Sequence, residues 1–596
     1  MQSVQARIQN LRKFMQAEQI QACIIPSTDP HISEYIPQRW KTRAWISGFT
    51  GSAGTVAVTL NKAGLWTDSR YFLQAKEQLR DTGIDLYKTG FPETPTIPDW
   101  LDSELSPGDC IGIEGNVFAA SEVKSFIDSF SKKNLNLRTD FAPFDSLWDN
   151  RPAPPANPAF ILSERFTGKS CREKIEALLK KLKDNQADMT ILAALDSIAW
   201  LFNIRGNDVD FNPVCLSYAL VSETEVVLFI SHAQLTKEVK EYLQQEGVTM
   251  ADYEKISEYI RKIPPGIKVL IDPAKINYRL YSILSDRCII KEIAVHPADS
   301  LKCVKNETEI AGIRNAMEKD GVAMVKFLIH LEEALKNDER ITELDVEKIL
   351  EQYRSDRELY VGASFKTIAG YGAHGAMVHY EATTESNATI QPNGILLVDS
   401  GAQYFDGTTD ITRTISTGQV SEIIKHNYTL VLKGHIQLAS AIFPAGTVGM
   451  QLDAMARQAL WKAGKNFLHG TGHGVGCFLN VHEGPQSIRM NYNPTPLEPG
   501  MITSNEPGLY LDGEYGIRIE NLLLTIKAKT TDFGDFYAFE TLTLCPIDTN
   551  LIERSMLSPE EIDWLNDYHR KVYDQLSPLL SLKEKKWLEE ETQPFG

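Results

Sequence analysis

No disulfide framework is written into this chain. Its eight cysteines (Cys23, Cys110, Cys171, Cys215, Cys288, Cys303, Cys477 and Cys545) are scattered along 596 residues without a C-x-x-C pair. That pattern suits free, mostly buried thiols in a reducing compartment. Long hydrophobic runs are also missing: no stretch of about 18 apolar residues occurs, so no membrane span is expected. The segment from Met1 to Met15 mixes Arg7, Arg12 and Lys13 with polar residues and has no apolar core of signal-peptide length. A cytoplasmic location is therefore the default expectation. Positive charge is in deficit, with 61 Lys and Arg against 79 Asp and Glu and a net charge of −18. A surface that acidic repels phosphate backbones, so nucleic acid is not an expected partner. What remains, 43% apolar and 23% charged residues, is the composition of an ordinary soluble globular protein with room for several cores.

One internal echo bears on organisation. Trp45-Ile-Ser-Gly-Phe-Thr-Gly51 resembles Trp200-Leu-Phe-Asn-Ile-Arg-Gly206, and each precedes a β-rich run, at 55–60 and 218–230. So short a match also arises by chance. If it is a repeat, residues 1–150 and 151–300 are tandem copies of one α/β unit. The Pro-rich stretch Arg151-Pro-Ala-Pro-Pro-Ala-Asn-Pro158 is a natural break between them. A second change of pattern falls at His296–Leu301. Beyond it, Ile310, Ile313, Met317, Val322, Met324, Phe327 and Leu331 recur near helical spacing, which predicts a helix over 307–336. Near the end, Ser558-Pro559-Glu560-Glu561 reads as a helix start: N-cap, Pro at the first turn, Glu at the third position. Ile562, Leu565, Tyr568, Val572 and Leu576 then share one face. That face suits intramolecular packing, with a subunit contact as the alternative.

The chemistry concentrates in residues 360–525. Gly394-Ile-Leu-Leu-Val-Asp399 is an apolar run ending in a carboxylate, the mark of a buried strand with an acid at its tip. Asp406-Gly407 signals a hairpin, and Asp410-Ile-Thr-Arg-Thr-Ile415 alternates as a strand. Such a turn brings Asp399 beside Asp410, where two carboxylates repel unless a cation or proton sits between them. A solvated Asp399 and a turn-capping Asp410 are the bland alternative. Next comes His469-Gly-Thr-Gly-His473-Gly-Val-Gly-Cys-Phe-Leu-Asn-Val-His482. Three of the chain's 12 histidines fall here, beside Gly470, Gly472, Gly474 and Gly476, which would let backbone approach a ligand closely. A phosphate loop is excluded because there is no G-x-x-x-x-G-K-[ST]. Cys477 in this loop reads as a small buried hydrophobe. Further on, Glu506 is followed by an Asp512-Gly513 turn. Gly516–Leu524 reads as one strand, with Arg518 and Glu520 on one face and Ile517 and Ile519 on the other. Alone, that strand is best read as amphipathic with a wet face.

Together these segments describe an oxygen-rich cage with one nitrogen donor. It suits Mn, Co, Zn or Fe better than a structural zinc, which prefers Cys and His. Four carboxylates balance two divalent cations, expected roughly 3.5–4 Å apart.

The spacing of Asp399, Asp410, His473, Glu506 and Glu520 resembles that of the pita-bread metallopeptidases, which include methionine aminopeptidase, prolidase and aminopeptidase P. The wording Asp399-Ser-Gly-Ala-Gln, Asp406-Gly-Thr-Thr-Asp410-Ile-Thr-Arg-Thr414 and His469-Gly-Thr-Gly-His473-Gly-Val-Gly is similar to the three-domain, cytosolic type of Xaa-Pro aminopeptidase. The likeness extends over nearly the whole chain, including Trp45–Gly51 and Asp68-Ser-Arg-Tyr71. It implies an α/β (α+β) architecture: two creatinase-N-like domains, residues 1–150 and 151–300, then a pita-bread catalytic domain, 301–596, with a helical extension from about 548. It implies cleavage between any N-terminal residue and a following proline by attack of a metal-bridging hydroxide. Two divalent ions per subunit are implied, with Mn²⁺ first and Zn²⁺ or Co²⁺ as substitutes. Asp410 and Glu520 would bridge both ions, Asp399 would complete one, and His473 with Glu506 the other. Glu506 would shuttle the proton and His482 would stabilise the oxyanion. His379, in Met377-Val-His-Tyr380, would hold substrate, His469 would line the proline side, and Arg518 would orient Glu520 or its neighbours. The nine-residue step from His473 to His482 is longer than in two-domain bacterial relatives. Related three-domain enzymes imply a homodimer through the C-terminal domain. Two rival readings remain: a prolidase-type Xaa-Pro dipeptidase, and a non-catalytic binding protein on the same fold, whose relatives lose metal ligands.

Overall fold

The computed structural model describes residues 3–596; Met1 and Gln2, which open the amino-terminal segment read above, lie outside the described residues. The chain folds as two compact units. One runs to Ser163 and resumes over Lys169–Leu301; the other joins Glu164–Gly168 to Lys302–Gly596.

The first unit contains the repeat. Its first six-stranded sheet is built from β1 (Ala22–Ile25), β2 (Thr55–Thr59), β3 (Ala63–Thr67), β4 (Asp85–Lys88), β5 (Cys110–Gly112) and β6 (Asn136–Arg138), in the order β4-β3-β2-β1-β5-β6. The second is built from β7 (Met189–Leu192), β8 (Ser217–Ser222), β9 (Val226–Ile230), β10 (Thr249–Ala251), β11 (Lys268–Ile271) and β12 (Ile289–Glu292), in the order β10-β9-β8-β7-β11-β12. Strand for strand the order is the same. So is the sense of every pairing: the two central hairpin contacts are antiparallel and the flanking ones parallel. Trp45 and Trp200 lie in matching helices, Thr42–Ser47 and Leu195–Phe202. Each helix stops at a left-handed residue, Gly48 or Asn203, and leads toward the second strand of its sheet. The echo is thus a structural repeat. The Pro-rich residues 151–158 carry no helix or strand.

The long segment of the second unit is led by α1 (Glu307–Lys336), started by an Asn306–Glu309 capping box. Met324, Phe327 and Leu331 of its apolar stripe bury against Leu396 and Val398, each burial contributing roughly 1.5–3 kcal/mol. Leu396 and Val398 belong to a three-stranded sheet of β13 (Ile368–Tyr371), β14 (Ile395–Ser400) and β15 (Ile411–Ser416), in that order. A six-stranded sheet combines β16 (Ile442–Pro444), β17 (Gly472–Gly474), β18 (Glu483–Ile488), β19 (Ile502–Asn505), β20 (Asn521–Thr531) and β21 (Gly534–Thr541), in the order β16-β21-β20-β19-β17-β18. Helices α2 (Glu422–Ala439) and α3 (Gly449–Lys462) lie against each other beside it.

The structure corrects the reading of 516–524 as one strand with a wet face. The chain leaves a small hairpin (Gly508–Leu511 with Tyr515–Arg518) at Ile519 and enters β20 only at Asn521. Between them the Glu520 amide donates to the Thr412 carbonyl at 3.1 Å, which ties the two sheets together. Both faces are therefore covered, with Ile517, Arg518, Ile519 and Glu520 all buried. The C-terminal helix α4 (Pro559–Leu576) has the expected Ser558–Glu561 capping box. Its face of Leu565, Tyr568, Val572 and Leu576 is buried within this unit's own core, which is the packing alternative.

Candidate metal centre

Three segments deliver the donors. In the antiparallel pair β14–β15, Asp399 stands opposite Thr412, and Asp410 sits just before β15. Both acids are buried, so neither the solvated Asp399 nor the surface turn cap applies. His473 lies in β17, and Glu506 follows β19, its amide donating to the Thr471 carbonyl at 2.8 Å. One donor atom each from Asp410, His473 and Glu520 falls within 4.8 Å of the others. His473 Nε2 is 3.4 Å from Asp410 Oδ2 and 3.5 Å from Glu506 Oε1. Asp410, His473, Glu506 and Glu520 thus come together, and Asp399 is joined through Arg518 as described next.

The tautomer of His473 is set locally. Its Nδ1–H donates to the Gly474 carbonyl at 2.9 Å, which leaves Nε2 facing the carboxylates. Arg518, buried, donates from Nη2 to Asp399 Oδ2 at 2.6 Å, from Nη1 to the Tyr510 hydroxyl at 2.6 Å and from Nε to Thr412 Oγ1 at 3.2 Å. Thr412 Oγ1 in turn donates to Glu520 Oε2 at 2.7 Å. Ser504 Oγ accepts from the His473 amide at 3.0 Å and donates to Glu506 Oε1 at 3.1 Å. Arg518 thus binds Asp399 directly and reaches Glu520 through Thr412.

Of the remaining residues, His482 stacks edge-on against His473, with ring centroids 4.4 Å apart. His469 Nε2 meets the Tyr510 hydroxyl at 2.9 Å, and its Nδ1 meets the Gly470 carbonyl at 2.7 Å. His379 follows Val378, whose carbonyl accepts from Arg518 at 3.3 Å. Tyr510, Thr412 and Ser504 were not foreseen. For Tyr510 a signal existed. The Asp512-Gly513 turn fixes a register that pairs Gly508 with Arg518 and Tyr510 with Gly516, which puts Tyr510 and Arg518 on one face. A Cβ on Gly508 would lie 2.5 Å from the Tyr510 hydroxyl.

Two glycines of the loop make room for neighbouring strands. A Cβ on Gly472 would lie 2.0 Å from the Ser504 carbonyl oxygen, and one on Gly474 would lie 2.4 Å from that of Glu483. Cys477 is buried beside Val475 and Ile502, as a small hydrophobe should be.

The charges of these donors oppose one another. Burial raises the Glu506 carboxyl to about 7, and the charges of Asp410 and Asp399 add to the rise against the pull of His473 and Arg518. Burial and the charges of Asp410, Glu506 and Asp399 push Glu520 well above the usual carboxylate range, and burial with the charge of Asp410 raises Asp399 against the pull of Arg518. Burial alone would lower His473, but its contact with Asp410 and the charge of Glu506 raise it to about 9. Asp399 Oδ1 is buried with no hydrogen-bond partner. Converging, desolvated carboxylates with an orphaned oxygen and an imidazole nitrogen turned toward them fit a hard or borderline divalent cation.

Fold and donor set together define a metallopeptidase centre of the pita-bread class. The comparisons with known proteins agree. The pattern of metallopeptidase family M24 matches residues 311–527, and the C-terminal region of peptidase M24 matches 535–595. The creatinase/prolidase N-terminal domain matches twice, at 7–145 and 150–309. The chain is 40% identical to the probable Xaa-Pro aminopeptidase P of Coprinopsis cinerea, over 98% of this chain and 97% of that one. It is 40% identical to aminopeptidase P2 of Arabidopsis thaliana, over 97% and 86%. An X-prolyl aminopeptidase from Caenorhabditis elegans, described as a cytosolic enzyme with a di-nuclear active site, superposes with a TM-score of 0.95 at 35% identity and full coverage of both chains. The Xaa-Pro dipeptidase of Bacillus anthracis, at 24% identity and a TM-score of 0.50, shares the fold over 63% of this chain. The chain belongs to the aminopeptidase P family of M24 metallopeptidases.

Proposed function

We propose that this chain removes an N-terminal residue that precedes proline, with two divalent ions held by Asp399, Asp410, His473, Glu506 and Glu520. The carrying observation is the convergence of these side chains in a chain similar over its whole length to proteins named Xaa-Pro aminopeptidase P. The oxygen-rich donor set favours Mn²⁺, with Co²⁺ and Zn²⁺ as substitutes.

When bound, the ions would acidify a water near neutral pH and polarise the scissile carbonyl. Glu506 is suited to take up a proton at its carboxylate and return it to the leaving amine, with Ser504 fixing one oxygen. His482, beside His473, would donate to the carbonyl oxygen as negative charge develops there. His379 would hold the substrate backbone and His469 would line the proline side. Arg518 would keep Asp399 and, through Thr412, Glu520 in place. Substrates would be peptides with proline at the second position. The same proposal takes residues 1–150, 151–300 and 301–596 as the domains, a homodimer as the assembly and the cytoplasm as the location. Among the described residues no helix is long and apolar enough to cross a membrane.

The test is a peptide panel with Mn, Co and Zn: Arg-Pro-Pro, Xaa-Pro dipeptides and their Xaa-Ala counterparts. Release of arginine from Arg-Pro-Pro and silence on Xaa-Ala support the proposal. Cleavage of dipeptides alone would instead make the chain a prolidase.

A further inference from the structure

Behind the histidine pair lies a buried ion triad that the proposed chemistry does not use. Lys302 Nζ donates to Glu483 Oε2 at 2.8 Å, and Lys305 Nζ donates to Glu483 Oε1. The side chains of both lysines are 1% exposed and that of Glu483 is 0% exposed. Lys305 Nζ also donates to the Lys302 carbonyl at 3.0 Å, and the Lys305 amide donates to the Gly500 carbonyl at 3.0 Å. Each carboxylate oxygen of Glu483 therefore accepts from one ammonium, and the Lys305 ammonium is itself fixed to backbone.

The place of Glu483 gives the triad its meaning. It is the residue after His482 and opens β18. Its register partner in β17 is Gly474, the residue after His473. Gly474 has no side chain, which lets the two backbones meet: a Cβ there would lie 2.4 Å from the Glu483 carbonyl oxygen. His482 lies in the bend that leads into β18, immediately before Glu483. A carboxylate held by two lysines fixes the backbone at Glu483, beside Gly474, and so restricts where the adjoining His482 can place its ring. The two histidine rings lie 4.4 Å apart with an 80° interplanar angle.

Stability does not account for such an arrangement. Three buried charges lose their hydration, and apolar side chains of similar volume commonly hold a fold as well or better. What the charged version adds is direction, because an ion triad with fixed anchor points tolerates few geometries. We infer that Lys302, Glu483 and Lys305 form a positioning device that aims His482 at the reacting carbonyl. This inference rests on the role proposed for His482 above.

The test separates folding from turnover in the Mn-loaded full-length enzyme. The triple replacement K302M/K305M/E483L removes all three charges at similar volume. It is expected to keep a melting temperature and manganese content near the parent's, with KM for Arg-Pro-Pro within about threefold. Its kcat should fall roughly ten- to a hundredfold, the usual cost of a small misplacement at a reacting centre. Lys305→Met, which leaves the Lys302–Glu483 pair intact, gives a smaller loss of the same kind and serves if the triple replacement does not fold. Lys305→Arg should recover most of kcat. In a His482→Ala background the triad replacement should cost nothing further, since residues acting as one unit are not additive. Full kcat in the folded triad variants, while His482→Ala is impaired, overturns the triad inference alone. Full kcat in His482→Ala removes the role of His482, and the triad inference with it. Additive losses in the combined variant also overturn it.

Discussion

Removing the ions should make this enzyme less stable, and increasingly so as pH rises. In the ion-free centre Glu506 is raised from 4.5 to about 7. A carboxyl held above its unfolded value keeps its proton in the folded state over that interval. The folded state then binds more protons than the unfolded one, so stability falls as pH climbs from 4.5 through 7. At 1.36 kcal/mol per unit, the 2.5-unit rise costs about 3 kcal/mol once pH exceeds 7. Asp399 and Glu520 are raised as well and act in the same direction. His473, raised from 6.5 to about 9, adds stability that is fully present below 6.5 and is lost as pH rises through 9. Bound cations reverse the carboxylate penalty and stabilise the fold by mass action. The assay is the melting temperature of Mn-loaded and chelated enzyme at pH 5.5, 7 and 8. The gap should widen from pH 5.5 to 8 and reach roughly 2–5 °C, and Mn²⁺ should restore both stability and activity. A gap that is absent, constant or narrowing with pH would refute the electrostatic account of the cage.

Three further outcomes follow from named contacts. Glu506→Gln should lower kcat by about two to four orders of magnitude while the melting temperature stays near the parent's; substantial residual turnover would remove Glu506 as the proton carrier. Arg518→Met strips Asp399 Oδ2 and the Tyr510 hydroxyl of their 2.6 Å donor, and metal titration should show an affinity loss of about 10- to 100-fold. His569, lowered by burial from 6.5 to about 4, accepts from the Ile547 amide at 3.1 Å. Its contribution is present above 6.5 and lost as pH falls toward 4, about 2 kcal/mol of it by pH 5. Urea midpoints of the parent should therefore drop between pH 7 and 5 more steeply than those of His569→Gln.

The helical extension does more than close the core. The Tyr568 hydroxyl accepts from Arg413 at 2.8 Å, and Arg413 donates to the Glu520 carbonyl at 2.7 Å and to Asn521 Oδ1 at 2.9 Å. Arg413 is buried and also donates to the carbonyls of Cys545 and Pro546. The backbone that presents Glu520 is thus held from behind by Arg413, 107 positions away in sequence.

Much of the centre could be read from local pattern because local physics sets it. The apolar run 395–398 buries β14 and carries Asp399 in with it. The caps at Asn306 and Ser558 start helices where short-range hydrogen bonds require them. The Trp45 and Trp200 echo marks helix ends that recur in two sheets of the same order. The order and chemistry of the five donors likewise need no three-dimensional information. Other features depended on what lies across from each residue. Gly516–Leu524 alternates like a half-wet strand, yet β15 covers one side and the core the other, so Arg518 and Glu520 are as buried as Ile517 and Ile519. Gly472 and Gly474 look like a ligand loop but leave room for the backbones of Ser504 and Glu483. Arg518 pairs with Asp399, Thr412 with Glu520, and Lys302 and Lys305 with Glu483, across separations of 119, 108, 181 and 178 residues. Periodicity within a segment reports which side is buried, not what buries it. The sequence by itself determined which acids and histidines are candidate donors, and only the tertiary structure decided which partners orient each of them.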